Sequence, residues 1–234
     1  MENKKTIIGI VVITILIIAL VVVSYFYYDF NTKQMALLTE EANKILETDL
    51  TEYNVDFDIK TDENYGKVED AIKEYIANLK NIYMEMKEIV SGINPNSIFS
   101  AQNMPDKKLD EIENIIEGYK EKSRDLIEEY EELITEEKIT ENINNAKFSG
   151  RAGYYIKLYN EIMLSEIMKN QFMKLDEEIK NEKGKLYEKL NKIEKMKDFF
   201  EEYEDSWIIK EGQVQFTNVN RMIEYYNLFS QVID

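Results

Sequence analysis

The sequence predicts a mainly α-helical protein: an N-terminal transmembrane helix, then an elongated helical bundle or hairpin with a small antiparallel β element. Three observations predict it. An uncharged apolar block fills residues 6–23, two long segments repeat apolar residues at heptad spacing, and 234 residues include only two prolines and eight glycines. Scarce helix breakers and a sustained seven-residue repeat favour long uninterrupted helices.

The block comes first. Ile7 to Val23 is 17 residues, and Ser24-Tyr25-Phe26-Tyr27-Tyr28 extends it to 22. At about 1.5 Å per residue this spans roughly 33 Å, against a hydrocarbon core of about 30 Å. The closing aromatics suit the membrane interface, where rings and hydroxyls are both satisfied. Lys4 and Lys5 precede the block, whereas Asp29, Lys33, Glu40 and Glu41 follow it. The positive-inside bias therefore places the N-terminus in the cytoplasm and the rest outside. Residues 1–28 read as a cytoplasmic tail and signal anchor, and residues 29–234 as an extracytoplasmic acidic helical domain. A signal peptide cleaved after Ser24 is the competing reading. It fits less well, because the apolar run exceeds the usual h-region of about 7–15 residues.

Beyond the anchor, the helix is expected to continue over about 31–50, with Met35, Leu38, Ala42, Ile45 and Leu46 on one stripe. Tyr53, Val55, Phe57 and Ile59 then alternate with Asn54, Asp56, Asp58 and Lys60. Period two predicts a strand over 53–60. Val68, Ile72, Tyr75, Leu79, Ile82, Met86, Ile89 and Ile93 are spaced 4-3-4-3-4-3-4, which predicts a helix over 67–91. Ile76, Tyr83 and Val90 widen the stripe and favour a bundle over a two-stranded coil. After a polar loop, Pro105-Asp106 opens a helix over 105–135. Its seam is Leu109, Ile112, Ile116, Tyr119, Ser123, Leu126, Tyr130 and Leu133. Two matching seams joined by a loop read as an antiparallel helical hairpin. The seam fades over 135–145, and Phe148 to Gly153 reads as a turn. A helix over 154–204 follows, greasy on several sides at 155–173 and narrower beyond, with Gly184 as its candidate break. Trp207–Lys210 and Gln213–Thr217 predict a β-hairpin turning at Glu211-Gly212, and Thr217 or Asn218 is placed to cap a last helix over 219–233. The strands 53–60, 207–210 and 213–217 are expected to meet in one sheet, because an isolated hairpin is marginal in water.

Composition narrows the chemistry. The net charge is −17; Glu2, Lys4 and Lys5 give residues 1–28 a net +1, so residues 29–234 carry −18. Such a surface repels nucleic acid and anionic polymers. Histidine and cysteine are both absent, which removes the commonest general base and zinc ligand, disulfides, and serine–histidine or cysteine–histidine catalysis. Asp56, Asp58, Asp62, Glu63 and Asn64 suggest a calcium loop, but Lys60, Thr61 and Lys67 stand where that loop needs ligands and its glycine. No phosphate-binding glycine loop occurs. No catalytic residue, cofactor or metal ligand is expected; a carboxylate-pair hydrolase is the residual enzymatic reading.

One stretch resembles a known group. Gly212-Gln213-Val214-Gln215-Phe216-Thr217, followed by Tyr226-Asn227-Leu228, is similar to the end of certain enterobacterial envelope lipoproteins of unknown function. The resemblance covers about 20 of the 234 residues and implies a helical envelope protein. Those proteins are anchored through a lipidated cysteine, which this chain lacks.

The expected function is that of a single-pass envelope protein whose helical domain is a scaffold or spacer, with a protein partner or a second copy of itself and no nucleic acid. The alternative is a ligand-sensing ectodomain working with a membrane partner. The expected contact site is the loop from Gly92 to Met104, where Ile98, Phe99 and Met104 are apolar among polar neighbours. The other reading of these three is that they fold back and cap the seam.

Overall fold

The computed structural model describes the backbone of residues 2–52 and 54–233 and the side chains of residues 15–52 and 54–232. The chain is mainly helical. Its elements are α1 (Glu2–Glu47), α2 (Glu63–Gly92), α3 (Pro95–Ile98), a 3-10 turn (Pro105–Lys107), α4 (Asp110–Leu133), α5 (Glu136–Asn144), α6 (Ala152–Met163), α7 (Glu166–Glu202), β1 (Trp207–Lys210), β2 (Gln213–Phe216) and α8 (Val219–Ile233). It divides into two compact units, Met1–Tyr75 with Thr140–Met168 and Ile76–Ile139 with Lys169–Asp234.

In the first unit α1 runs unbroken from the apolar block into the fold. The helix from Ile15 is long and apolar enough to cross a membrane, and its most apolar stretch is not buried in protein. Ile15 to Val23 and the four aromatics after Ser24 are exposed, with Leu20 at 67% and Tyr28 at 72%. Further along, Leu38, Ala42 and Ile45 turn into a core shared with Tyr65, Val68, Ile72, Tyr75, Tyr155 and Tyr159. At Gly66 the loop lies close against the helix: a β-carbon there would lie 2.8 Å from the Thr61 carbonyl oxygen.

The expected strand over 53–60 is not formed. Tyr53 lies outside the described residues, and Asn54–Lys60 is irregular with Phe57 64% exposed. The hydrogen bonds a neighbouring strand would use are taken by side chains. The Glu69 carboxylate accepts from the backbone N–H groups of Lys60 and Thr61, and the Lys73 ammonium donates to the Asp58 carbonyl at 2.8 Å.

In the second unit the seams form as expected. Leu79, Met86 and Ile93 of the α2 seam, Ile112, Ile116, Leu126 and Tyr130 of α4, and Ile179, Leu186, Leu190, Ile193 and Met196 of α7 are buried. Bridges Lys197–Glu113, Lys120–Glu194 and Lys180–Glu131 step down α7 as they climb α4, so the two run antiparallel. The Tyr130 hydroxyl donates to the Phe172 carbonyl oxygen at 2.7 Å within the core.

Two expected helices are interrupted. The helix expected over 105–135 starts as a 3-10 turn and ends at Leu133, and α5 occupies the stretch where the seam fades. The helix expected over 154–204 breaks at Leu164–Ser165, while Gly184 sits inside α7. Ser165 makes the break: its hydroxyl accepts from the Met168 N–H at 3.2 Å and so restarts a helix one turn on. The C-terminal hairpin and α8 lie where expected. Among the described residues, however, the sheet has two strands, pairing Trp207 with Phe216 and Lys210 with Gln213. Glu211 and Gly212 both adopt positive φ (53° and 74°), the mirror-image turn that suits a two-residue hairpin.

Candidate functional site

The apolar residues of the 92–104 loop fold inward. Ile98 and Phe99 are 4% exposed and Met104 is 0%. The expected contact surface is therefore not presented by these side chains; they take the fold-back arrangement. Asn94 caps α3 by accepting from the Asn96 N–H, and Asn103 donates to the carbonyls of Ser97 and Ile98. Once these asparagines satisfy the loop backbone, its apolar side chains are free to pack. Phe99 meets Phe200 at a ring separation of 5.2 Å.

Phe200 is the hub of an aromatic cluster. Trp207 packs edge-on at 5.0 Å, and Phe199, Phe216 and Tyr225 lie within 6.0 Å. The buried Trp207 indole N–H donates to the Phe200 carbonyl oxygen at 3.0 Å, and the Lys107 ammonium stands 4.9 Å over its ring. Burial pushes the Tyr225 hydroxyl up to about 12, so it stays neutral.

Against this cluster lies a cleft of about 520 Å³. One wall is Asn96, Phe99, Ser100 and Ala101 of the loop; a second is Gly212 and all of β2; the third is Met222, Tyr225 and Tyr226 of α8. None of these residues is charged, in a chain of net charge −17. The third wall continues outward. Val219 (66%), Met222 (37%), Ile223 (51%) and Tyr226 (59%) are exposed at i, i+3, i+4 and i+7, which is one face of α8. The helix is set by Asn218, whose side chain accepts from the Asn220 N–H at 2.9 Å, and by Arg221, which pairs with Glu224 and lies 3.5 Å over the Tyr203 ring.

Sequence reasoning missed this face. Met222, Tyr226, Phe229 and Ile233 recur at 4-3-4 spacing in the sequence and read as a core stripe; in the structure Met222 and Tyr226 are exposed, Tyr225 and Phe229 are half-buried, and Val232 is buried.

A second constellation was invisible in the sequence. Lys73, 1% exposed, lies 2.7 Å from Glu69 and 3.0 Å from Glu41, both buried. Burial disfavours all three charges, but hydrogen bonds from Lys73 and the loop more than reverse it for Glu69. Those from Lys44 and Lys73 do the same for Glu41. Both carboxylates lie below their ordinary range. Lys73 lies above its own, because contact with Glu69 and Glu41 outweighs burial. Every charged group here is hydrogen-bonded, so the cluster binds the first unit together and leaves no reactive group spare. Among the described residues no group of three or more His, Cys, Asp or Glu is arranged to hold a metal ion.

No family model, curated protein or solved structure matches this chain.

Proposed function

We propose that the protein is a single-pass membrane protein with its N-terminus in the cytoplasm, whose acidic helical domain docks a protein partner outside the membrane as a scaffold or spacer. One observation carries the docking reading. A neutral cleft opens onto an exposed apolar helix face, at Val219, Met222, Ile223 and Tyr226, on an otherwise strongly charged chain. Contiguous apolar surface of this kind marks interaction sites, and its aromatic and methionine content is that of interface cores. The contact site lies beside the loop expected from the sequence, with Asn96 to Ala101 forming one wall and the α8 face the centre. The orientation rests on Lys4 and Lys5 before the apolar segment and the acids after it.

The test is a photo-crosslinking amino acid at Ile223, with the same residue at the exposed Glu121 of α4 as the control, both in intact membranes. A discrete protein adduct from position 223 alone supports docking. Adducts of equal yield from both positions, or none from 223, refute it. Protease added to intact cells tests orientation by digesting the domain. The cleft volume also suits a small ligand, which is the observation behind a sensing alternative. A sensor of that kind gains thermal stability from a small molecule and gives no adduct at 223.

A further inference from the structure

We infer that the cleft receives an extended, uncharged peptide segment of the partner, which adds to the free edge of β2 as a third strand. This rests on the docking reading above and names what is docked.

The first support is which residues meet the cleft. Gln213, Val214, Gln215 and Phe216 all line it. Successive side chains of a strand point to opposite faces, so a cavity over one face touches alternate residues only. A cavity that touches four in a row runs along the strand's edge.

The second support is the phase of the ladder. The Thr217 N–H donates to the Ser206 carbonyl at 2.8 Å, and these residues stand opposite one another in the register that pairs Trp207 with Phe216. In an antiparallel pair, opposed residues alternate between bonded and non-bonded. Gln215 and Gln213 therefore bond to β1. The N–H and C=O groups of Val214 and Phe216 point the other way, to the side where the sheet has no further strand. Backbone groups on such an edge are a template for an incoming strand.

The chemistry of the occupant follows from the walls. A charged side chain entering the cleft loses hydration and meets no opposite charge. Phe99, Met222 and Tyr226 favour apolar groups, and the amides of Asn96, Gln213 and Gln215 favour polar uncharged ones. The strand is four residues long, so the matching segment is about four residues, or roughly 13 Å. A second copy of this chain is a poor occupant: each carries −17, and its β2 arrives with Lys210 and Glu211 at the turn.

The experiment uses the full chain in nanodiscs and a phage library of uncharged octapeptides. Enriched sequences are synthesised and their affinities measured for wild type, Val214→Pro and Val214→Thr. Proline removes one outward N–H and is tolerated on an edge, whereas threonine keeps it. The expected result is binding that falls at least tenfold for Val214→Pro and stays within twofold for Val214→Thr. On the wild-type chain, methylating alternate peptide nitrogens also weakens binding at least tenfold, which covers the case of a misfolded proline variant. Three results overturn the inference: no peptide enriched, peptides indifferent to both Val214→Pro and N-methylation, or a wild-type dimer that Val214→Pro dissolves. The crosslink from Ile223 is scored in the same Val214→Pro chain. If it persists there while peptide binding is indifferent, docking stands and strand addition falls. If it is absent from wild type, the docking reading itself has failed.

Discussion

Two regions of this protein are held by opposite means. The first unit closes around three charges, Lys73, Glu69 and Glu41, with one loop strapped to a carboxylate. The aromatic end of the second unit closes around Phe200 and Trp207, where the buried indole N–H donates to a carbonyl. A buried ion network is directional and pH-dependent, and fails sharply when a member is lost. An aromatic cluster is insensitive to pH and loses stability with volume. The same chain therefore contains one region that acid loosens and one that only truncation loosens.

The largest effect separates them at once. Lys73→Met leaves two buried carboxylates facing each other and costs about 3–5 kcal/mol by urea unfolding. A loss under about 1 kcal/mol would mean that water already reaches the network. At the other region Phe200→Ala removes the ring that Phe99, Trp207, Phe216 and Tyr225 share, and costs about 3–4 kcal/mol. Its loss is the same at pH 4 and pH 7, whereas that of Lys73→Met shrinks at pH 4, because the buried carboxylates it leaves without their cation take up protons there.

Acid sharpens the contrast without mutation. Glu41 and Glu69 titrate below their ordinary range in the folded chain. They therefore stabilise it fully above about pH 5, and the contribution is lost as pH falls through their lowered values. Lys73 is raised, so its share is complete below about pH 10 and lost only above that. Intrinsic amide exchange slows as pH falls from 6 to 3.5, so the loosening is read as protection factors: those of the Lys60 and Thr61 amides should drop over this range, while the Trp207 indole N–H stays protected. Equal protection changes at both sites would contradict the division.

Smaller effects test the fit of each region. Gly66→Ala drives a methyl group against the Thr61 carbonyl and costs about 1–3 kcal/mol, read as a lower urea midpoint. Trp207→Phe leaves the Phe200 carbonyl unpaired, at a cost of about 1–2 kcal/mol, with a cavity cost added where the smaller ring no longer fills the site.

How much of this the sequence shows depends on the range of the interaction. The seams of α2 and α4 and the Glu211-Gly212 turn are local patterns, and they form at the expected residues. The break at Ser165 is local too, but its signal is one hydroxyl three residues ahead of the N–H it captures, easily passed over beside Gly184. The segment 54–60 alternates as a strand does. What decides its state is a carboxylate at Glu69 and an ammonium at Lys73, a pair at i and i+4 that looks like many other Glu/Lys pairs on these helices. Nothing near those residues reports that α1 brings Glu41 to meet them, since that contact spans 32 positions. The cleft was missed for a similar reason. Ile98, Phe99 and Met104 are visible in the sequence as apolar loop residues, but Phe99 packs on Phe200, about a hundred residues away, and nothing local reports that contact.

The unbroken course of α1 has a mechanical meaning. Between Leu20 and Leu38 the helix contains no proline, no glycine and no hinge, so the apolar segment and the first unit share one screw axis. Each residue advances that axis by about 1.5 Å and 100°. A twist of the apolar segment is handed on as a twist of Leu38, Glu41 and Ile45, and one inserted residue near Asn31 would swing Glu41 away from Lys73 by more than a quarter turn.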